Sequence, residues 1–374
     1  MNLLDATPTI GDVQIGGRWR TILVGGMGGG GRYYYALDIT DPLNPSLLWE
    51  FSDANLGLTY GNPVITKEAD GTWVVAFTSG YNNVGDGRGH LFVLDAATGS
   101  KIGEAVTPAG STTTPSNLGR LNAWVVSNTD NTALRFYAGD MLGNLWRFQK
   151  VGGSYAAQLL GRALADDGVT PQPIVSKPVL TELMVNGTPV AIVAFGTGRL
   201  INTGDLASTT LQSIYAVKDA LNDTSLGPLR NPAAALVREQ LGSDRRLVNP
   251  QPIDWRTHNG WYVDLDQTSG ERITLDGIPL GSGLIAFVST VPNSDPCSTG
   301  GRSYLYQFQM LSGTIDRVDV SDSLIVGAGR VIDSAGLISA FVTTRNQRTA
   351  LTPAGKTEPK KSNTLRRTAW RELQ

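Results

Sequence analysis

The chain has 374 residues, of which 41% are hydrophobic and 17% charged, with 44 Gly, 19 Pro and a formal net charge of −2. That composition fits many short strands joined by tight turns, and it argues against a disordered chain or a helical bundle. Near-neutral charge gives no global electrostatic reason to expect nucleic acid or an anionic membrane as partner, and one cysteine, Cys297, excludes an intramolecular disulfide or a multi-cysteine metal site.

Met1 to Thr9 lacks the basic and apolar regions of a secretion signal, and no apolar run is long enough to cross a bilayer, so the chain as written reads as soluble. A strand is predicted at Arg20–Gly25, followed by the Gly25–Gly31 run and a second strand at Tyr33–Asp38. The glycine run invites a phosphate-loop reading. A strand follows it where a helix would be needed, and no Lys-Ser/Thr pair is present, so it is read as an interstrand turn.

The clearest repeat comes next. Gly61–Thr66, Thr72–Phe77 and His90–Asp95 form three short apolar strands, the last ending in Asp before the turn Ala96–Gly99. Its second strand returns at Arg135–Gly139, Val190–Phe195 and Leu284–Ser289. Its third returns at Gly143–Phe148, Ser213–Lys218 and Tyr304–Gln309. A lone four-stranded meander has two faces to bury, and radial stacking of several buries them, which predicts a propeller. The expected fold is thus all-β, a single domain over residues 1–374.

An insertion around 219–260 interrupts the repeat and is read as a decoration. Asn231 as N-cap, Pro232 at the first helical position and Gly242 as the stop predict a short helix there. Lys356–Arg371 is basic and is read as solvated surface, and Trp370–Leu373 alternates loosely enough to form a last strand. His90 and His258 lie far apart and are given surface or structural roles, and Asp140 is read as a turn residue. No nucleophile, base and orienting group can be assembled from this sequence.

Several segments, in this order, resemble the PilY (neisserial PilC) family of pilus-associated proteins. They are Trp19–Asp38, Phe77–Asp95, Tyr137–Phe148, Phe195–Leu206, Gly260–Leu265 with Gly270-Glu271-Arg272, Pro292–Leu305 and Trp370–Leu373. The resemblance implies a β-propeller of quinoprotein-like type, with about six blade units here against seven in the family, the first blade being truncated. It implies a non-enzymatic type IV pilus assembly factor and tip adhesin, exported to the pilus tip, outer membrane or cell surface. Its implied partners are pilin and minor pilin subunits and a host-cell surface, with no nucleic acid and no transmembrane segment.

A calcium loop is also implied before Tyr137-Ala138-Gly139-Asp140. In the matching stretch, Asn128, Asp130 and Thr132 stand at liganding positions, whereas Val126 and Leu134 replace carboxylates. Calcium takes about six to eight oxygen ligands, so a loop with one carboxylate is a degenerate site. Two alternatives are a pyrroloquinoline-quinone dehydrogenase and a generic periplasmic scaffold propeller. The first fails on residues, because such enzymes resemble one another in a vicinal cysteine pair and an Asp base beside calcium, and neither occurs here. The loops Asn82–Gly89, Leu206–Thr210 and Asp219–Trp261 are the first candidates for recognition.

Overall fold

A computed structural model of the protein describes residues 6–127, 129–293, 300–332, 338–344, 348–352 and 355–356. The chain divides into two compact units, one formed by the chain up to Leu160 and one beginning at Gly161.

The first unit holds three antiparallel sheets, each of four strands in sequential order. Strands β1 (Thr9–Ile15), β2 (Arg18–Gly26), β3 (Tyr34–Asp38) and β4 (Ser46–Phe51) make the first, so this sheet has its full set of four. Strands β5 (Val64–Lys67), β6 (Trp73–Thr78), β7 (Arg88–Asp95) and β8 (Lys101–Gly110) make the second. The third comprises β9 (Leu121–Val125), β10 (Ala133–Gly139), β11 (Asn144–Val151) and β12 (Ser154–Arg162).

Side chains on a strand alternate between the two faces of its sheet. A run that is apolar at every position is therefore stable only where both faces are covered. Val74–Phe77 and Leu91–Leu94 are such runs, and all eight residues are fully buried. Val75, Phe77, Phe92 and Leu94 join Val13, Ile22, Val24, Tyr34 and Trp49 of the first sheet in one core. Val74, Ala76, Leu91 and Val93 join Phe136, Ala138, Trp146 and Phe148 of the third sheet in another. The middle sheet is thus packed between its two neighbours, and each large side chain so buried contributes about 1.5–3 kcal/mol.

The turn behind β7 shows why the repeat ends in Asp and Gly. The Asp95 carboxylate accepts hydrogen bonds from the Ala97 and Thr98 N–H groups at 3.0 and 2.8 Å. Gly99 has φ +70°, and a Cβ there would meet Trp49 Cγ at 2.6 Å. The Trp49 indole in turn donates to the Ala96 carbonyl at 2.9 Å.

The second unit repeats the scheme. Strands β13 (Val179–Val185), β14 (Thr188–Gly196) and β15 (Ser213–Asp219) are joined by β16 (Leu236–Glu239) and β17 (Gly260–Asp264) in a five-stranded sheet of order β13-β14-β15-β17-β16. The next sheet contains β18 (Arg272–Ile273), β19 (Ile278–Gly281), β20 (Leu284–Pro292), β21 (Gly301–Gln309) and β22 (Ile315–Ser321). The last contains β23 (Ile325–Ile332), β24 (Ile338–Thr344), β25 (Arg348–Thr352) and β26 (Gly355–Lys356). Alternation again sends neighbours to different cores: Ile285, Phe287, Tyr306 and Phe308 pack toward Ile192, Ile214 and Trp261. Ala286, Val288 and Leu305 pack toward Ile325 and Val342.

The predicted helix in the insertion needs correcting. Asn231 does cap it, its side chain accepting from Ala233 N, but the helix is a single 3₁₀ turn, Pro232–Ala234, that ends at Ala235 with φ +53°. Leu236–Glu239 then pairs parallel with β17, so an edge strand replaces the expected helical turns. Gly242 stops nothing; it opens a tight turn in which the Arg245 N–H donates to its carbonyl at 2.8 Å. Cys297, the tail after Lys356 and Trp370–Leu373 lie outside the described residues.

Candidate interaction site

In the second unit, three segments that sequence reading picked out separately come together. The loop after β14 contains a short 3₁₀ turn, Thr203–Ala207, capped by the Asn202 side chain, which accepts from Asp205 N. The Asp205 carboxylate accepts from the Ile201 and Asn202 N–H groups at 2.9 and 3.1 Å and from Arg199 Nε at 2.8 Å. Burial pushes its pKa up, but these donors outweigh burial and hold it below the usual carboxylate range.

Arg272, at the start of β18, fastens that loop from beneath. It is 3% exposed and donates to the backbone carbonyls of Arg199, Asp205, Ser208 and Gly270 at 2.6–3.1 Å. Among the described residues no carboxylate lies at hydrogen-bond distance from its guanidinium, and burial lowers its pKa. Three of the four carbonyls, those of Arg199, Asp205 and Ser208, belong to the loop, an arrangement that fixes its path while leaving Ile201 exposed.

The preceding residue, Glu271, anchors the insertion. Its carboxylate accepts from Ser289 Oγ at 2.5 Å, from the Tyr306 hydroxyl at 2.8 Å and from Arg245 Nη1 at 2.6 Å. Arg245 also donates to Thr268 Oγ1 at 2.6 Å and lies 3.3 Å from the centre of the Tyr304 ring. The side chains of both ion-pair partners are within 8% of full burial. A second anchor joins Arg230 to Asp264 at the end of β17, where Ser213 Oγ donates to the same carboxylate at 2.7 Å. Arg230 Nε reaches the Leu164 carbonyl at 2.7 Å. The insertion is therefore an integral part of this unit, held by the buried Arg245 and the partly buried Arg230. Neither arginine was singled out from sequence, since Arg230 and Arg245 are two of five arginines in the insertion and nothing local distinguishes them.

The first unit carries the remaining sequence candidates. In the glycine run, the Met27 and Gly28 N–H groups converge on Thr59 Oγ1 at 2.7 and 3.0 Å, so a side-chain hydroxyl fills the cradle. Asp140 is fully buried and accepts from Ser116 Oγ, the Leu142 and Asn144 N–H groups, Asn144 Nδ2 and Trp146 Nε1, all within 2.8–3.0 Å. It is a turn residue that also ties two strands together. His90 is 2% exposed, which makes it structural and not a surface group. Asp130 pairs with Lys67 Nζ at 2.7 Å and accepts from Thr132 Oγ1 at 2.9 Å, while Asn128 lies outside the described residues. Of the three recognition loops, Leu206–Thr210 and Asp219–Trp261 both meet the Glu271-Arg272 pair, and Asn82–Gly89 belongs to the first unit.

Successive sheets of four or five strands with ordered loops define the class: the chain is a β-propeller, and the arginines and carboxylates described above hold its loops. Its backbone superposes on the Pseudomonas aeruginosa PilY1 C-terminal domain with a TM-score of 0.77 at 22% identity, over 94% of this chain and 85% of that one. Residues 2–169 match the PilY1 beta-propeller domain as a family. The type IV pilus biogenesis factor PilY1 homolog of Xylella fastidiosa is 33% identical over 342 residues, and the match takes in 83% of this chain. PilY1 of Pseudomonas aeruginosa is 28% identical over 360 residues, again 83% of this chain. The chain belongs to the PilY1 β-propeller family, and it spans only 23% and 30% of the length of those two relatives.

Proposed function

We propose that this chain is the binding propeller of a type IV pilus biogenesis factor. It acts without catalysis, contacting pilin and minor pilin subunits, promoting pilus extension and contributing to surface attachment at the exported pilus tip. The observation that carries this reading is one fixed loop assembly: Arg272 of Gly270-Glu271-Arg272 clamps Phe195–Leu206, Glu271 anchors the 219–260 insertion through Arg245, and Arg230 of that insertion reaches Asp264 of Gly260–Leu265. Loops held on a stiff scaffold suit recognition.

The same interactions speak against a dehydrogenase. Asp140, Glu271 and Asp264 each have their oxygens filled by protein donors, and a general base needs a free one within reach of substrate. Calcium modulation through Asn128, Asp130 and Thr132 is the part of the proposal that rests on resemblance. Deleting the coding segment for residues 161–274 in the source bacterium should reduce surface piliation and twitching. Full piliation in that strain would refute the assembly role.

A further inference from the structure

His90 is one of two histidines in the chain, and its buried ring stands between two carboxylates. Nδ1 is 2.7 Å from Glu104 Oε1 and Nε2 is 3.0 Å from Asp86 Oδ1. A neutral imidazole has one N–H and one lone pair, so it can satisfy only one of these oxygens and must turn its lone pair on the other. The imidazolium donates to both. The ring stacks on Phe92 with centroids 5.7 Å apart and planes 10° apart, which fixes its orientation. With the ring neutral, the carboxylate that faces the lone pair loses its donor from the ring and must turn to water, Asp86 being 38% and Glu104 27% exposed.

The two carboxylates belong to different parts of the unit. Glu104 is in β8 and is backed by Lys101, whose Nζ donates to it at 2.7 Å and to Asp53 at 3.0 Å. Asp86 sits in the loop between β6 and β7. It accepts from the Arg88 N–H at 2.8 Å, and its own N–H donates to Asn55 Oδ1 at 3.0 Å. Arg88 directs its Nε away, to the Thr107 carbonyl at 2.9 Å. Asn83, 1% exposed, donates to the Arg88 carbonyl at 2.9 Å, and beside it Val84 stands 63% exposed at the tip.

Glu104, Lys101, Asp53, Asp86 and Arg88 are the charged groups gathered around the ring. Burial pushes Asp86 and Asp53 up, but the Arg88 and Asn55 N–H groups, His90 and Lys101 outweigh it, and both carboxyls lie below their ordinary value. Burial pulls Lys101 down, but Glu104 and Asp53 outweigh it and hold the ammonium above its ordinary value. These three charges are constant across about pH 5–8, the window in which an imidazole changes its own.

We propose that His90 is a proton-operated latch on the Asn82–Gly89 loop. As imidazolium it bridges strand β8 to Asp86 and locks the loop. As neutral ring it keeps the shorter bond to Glu104, loses its hold on Asp86, and lets the tip around Val84 loosen. The latch regulates the shape of an exposed segment by pH and stands whether or not that segment binds a pilin.

The test is ¹H–¹⁵N spectroscopy of the whole chain from about pH 5 to 8, where two histidines give two assignable imidazoles. Amides 82–89 should lose about tenfold in exchange protection in step with the His90 titration and ignore that of His258. The step should vanish in His90→Gln and in Asp86→Asn; the second changes a half-exposed loop residue and keeps the test valid if the first misfolds. Loop amides that stay unchanged as His90 titrates, a His90 ring that does not titrate in this window, or a step that persists in Asp86→Asn would overturn the latch.

Discussion

Replacing Arg245 with Ala should detach the insertion from the second unit. The change removes the Nη1–H that Glu271 Oε2 accepts at 2.6 Å, the bond to Thr268 and the cation on the Tyr304 ring. Glu271 is then left 1% exposed with an ionised carboxylate served by two hydroxyls on one oxygen only. Removing one partner of a buried, hydrogen-bonded ion pair costs about 3–5 kcal/mol, because the remaining charge is desolvated without compensation. Glu271→Gln removes that charge. The double variant Arg245→Met/Glu271→Gln should therefore be more stable than Arg245→Ala by at least about 1.5 kcal/mol. Urea unfolding followed by tryptophan fluorescence reads the global effect, with Trp255 in the insertion and Trp261 at its end as reporters, and hydrogen exchange over residues 236–248 reads the local one. If Arg245→Ala falls within about 0.5 kcal/mol of the parent, as an ordinary surface change would, the anchoring argument is refuted.

Three further outcomes follow from the same contacts. Arg272→Ala should strip four backbone carbonyls of their donor and expose amides 199–208 to exchange, at a cost of about 3 kcal/mol; unchanged exchange there would contradict the clamp. Asp140→Asn places an amide N–H₂ among five donors and should cost about 2–4 kcal/mol by denaturation. Burial raises the Asp140 pKa, so near its titration the folded chain holds more protons than the unfolded one, and stability should fall as pH rises through that range. The Asn variant should lack that slope. At the degenerate calcium loop, an ion would have to displace the Lys67 ammonium from Asp130, so Lys67→Ala should bind calcium more tightly than the parent in calorimetry; equal or weaker binding would count against a site at Asp130.

The strand cores were readable because Val74–Phe77, Leu91–Leu94 and their repeats are apolar at every position, and such runs need both faces covered. The repetition foretold stacked meanders, while the expectation of about six blades came from the family resemblance; the described residues form six sheets. Polar anchoring was not readable, because the partner of a buried Glu271 or Asp264 is fixed by where the chain returns in space, and Arg245 and Arg230 lie 26 and 34 residues away from them. The insertion shows both cases: Asn231 and Pro232 signalled a helical start through local geometry, but nothing local signalled that Leu236–Glu239 would find a strand edge to pair with. His90 fared likewise, since its ring partners Asp86 and Glu104 come from a loop and the neighbouring strand.

Direct binding is the measurement closest to the central claim. Biolayer interferometry of the purified chain against purified pilin and minor pilin subunits of the source bacterium should show saturable association. That association should weaken in Arg272→Ala, where loop 199–208 loses its clamp, and survive in a surface control such as Val169→Ser. Absence of association with every subunit, together with dye-linked turnover of an alcohol after loading with quinone and calcium, would contradict the account.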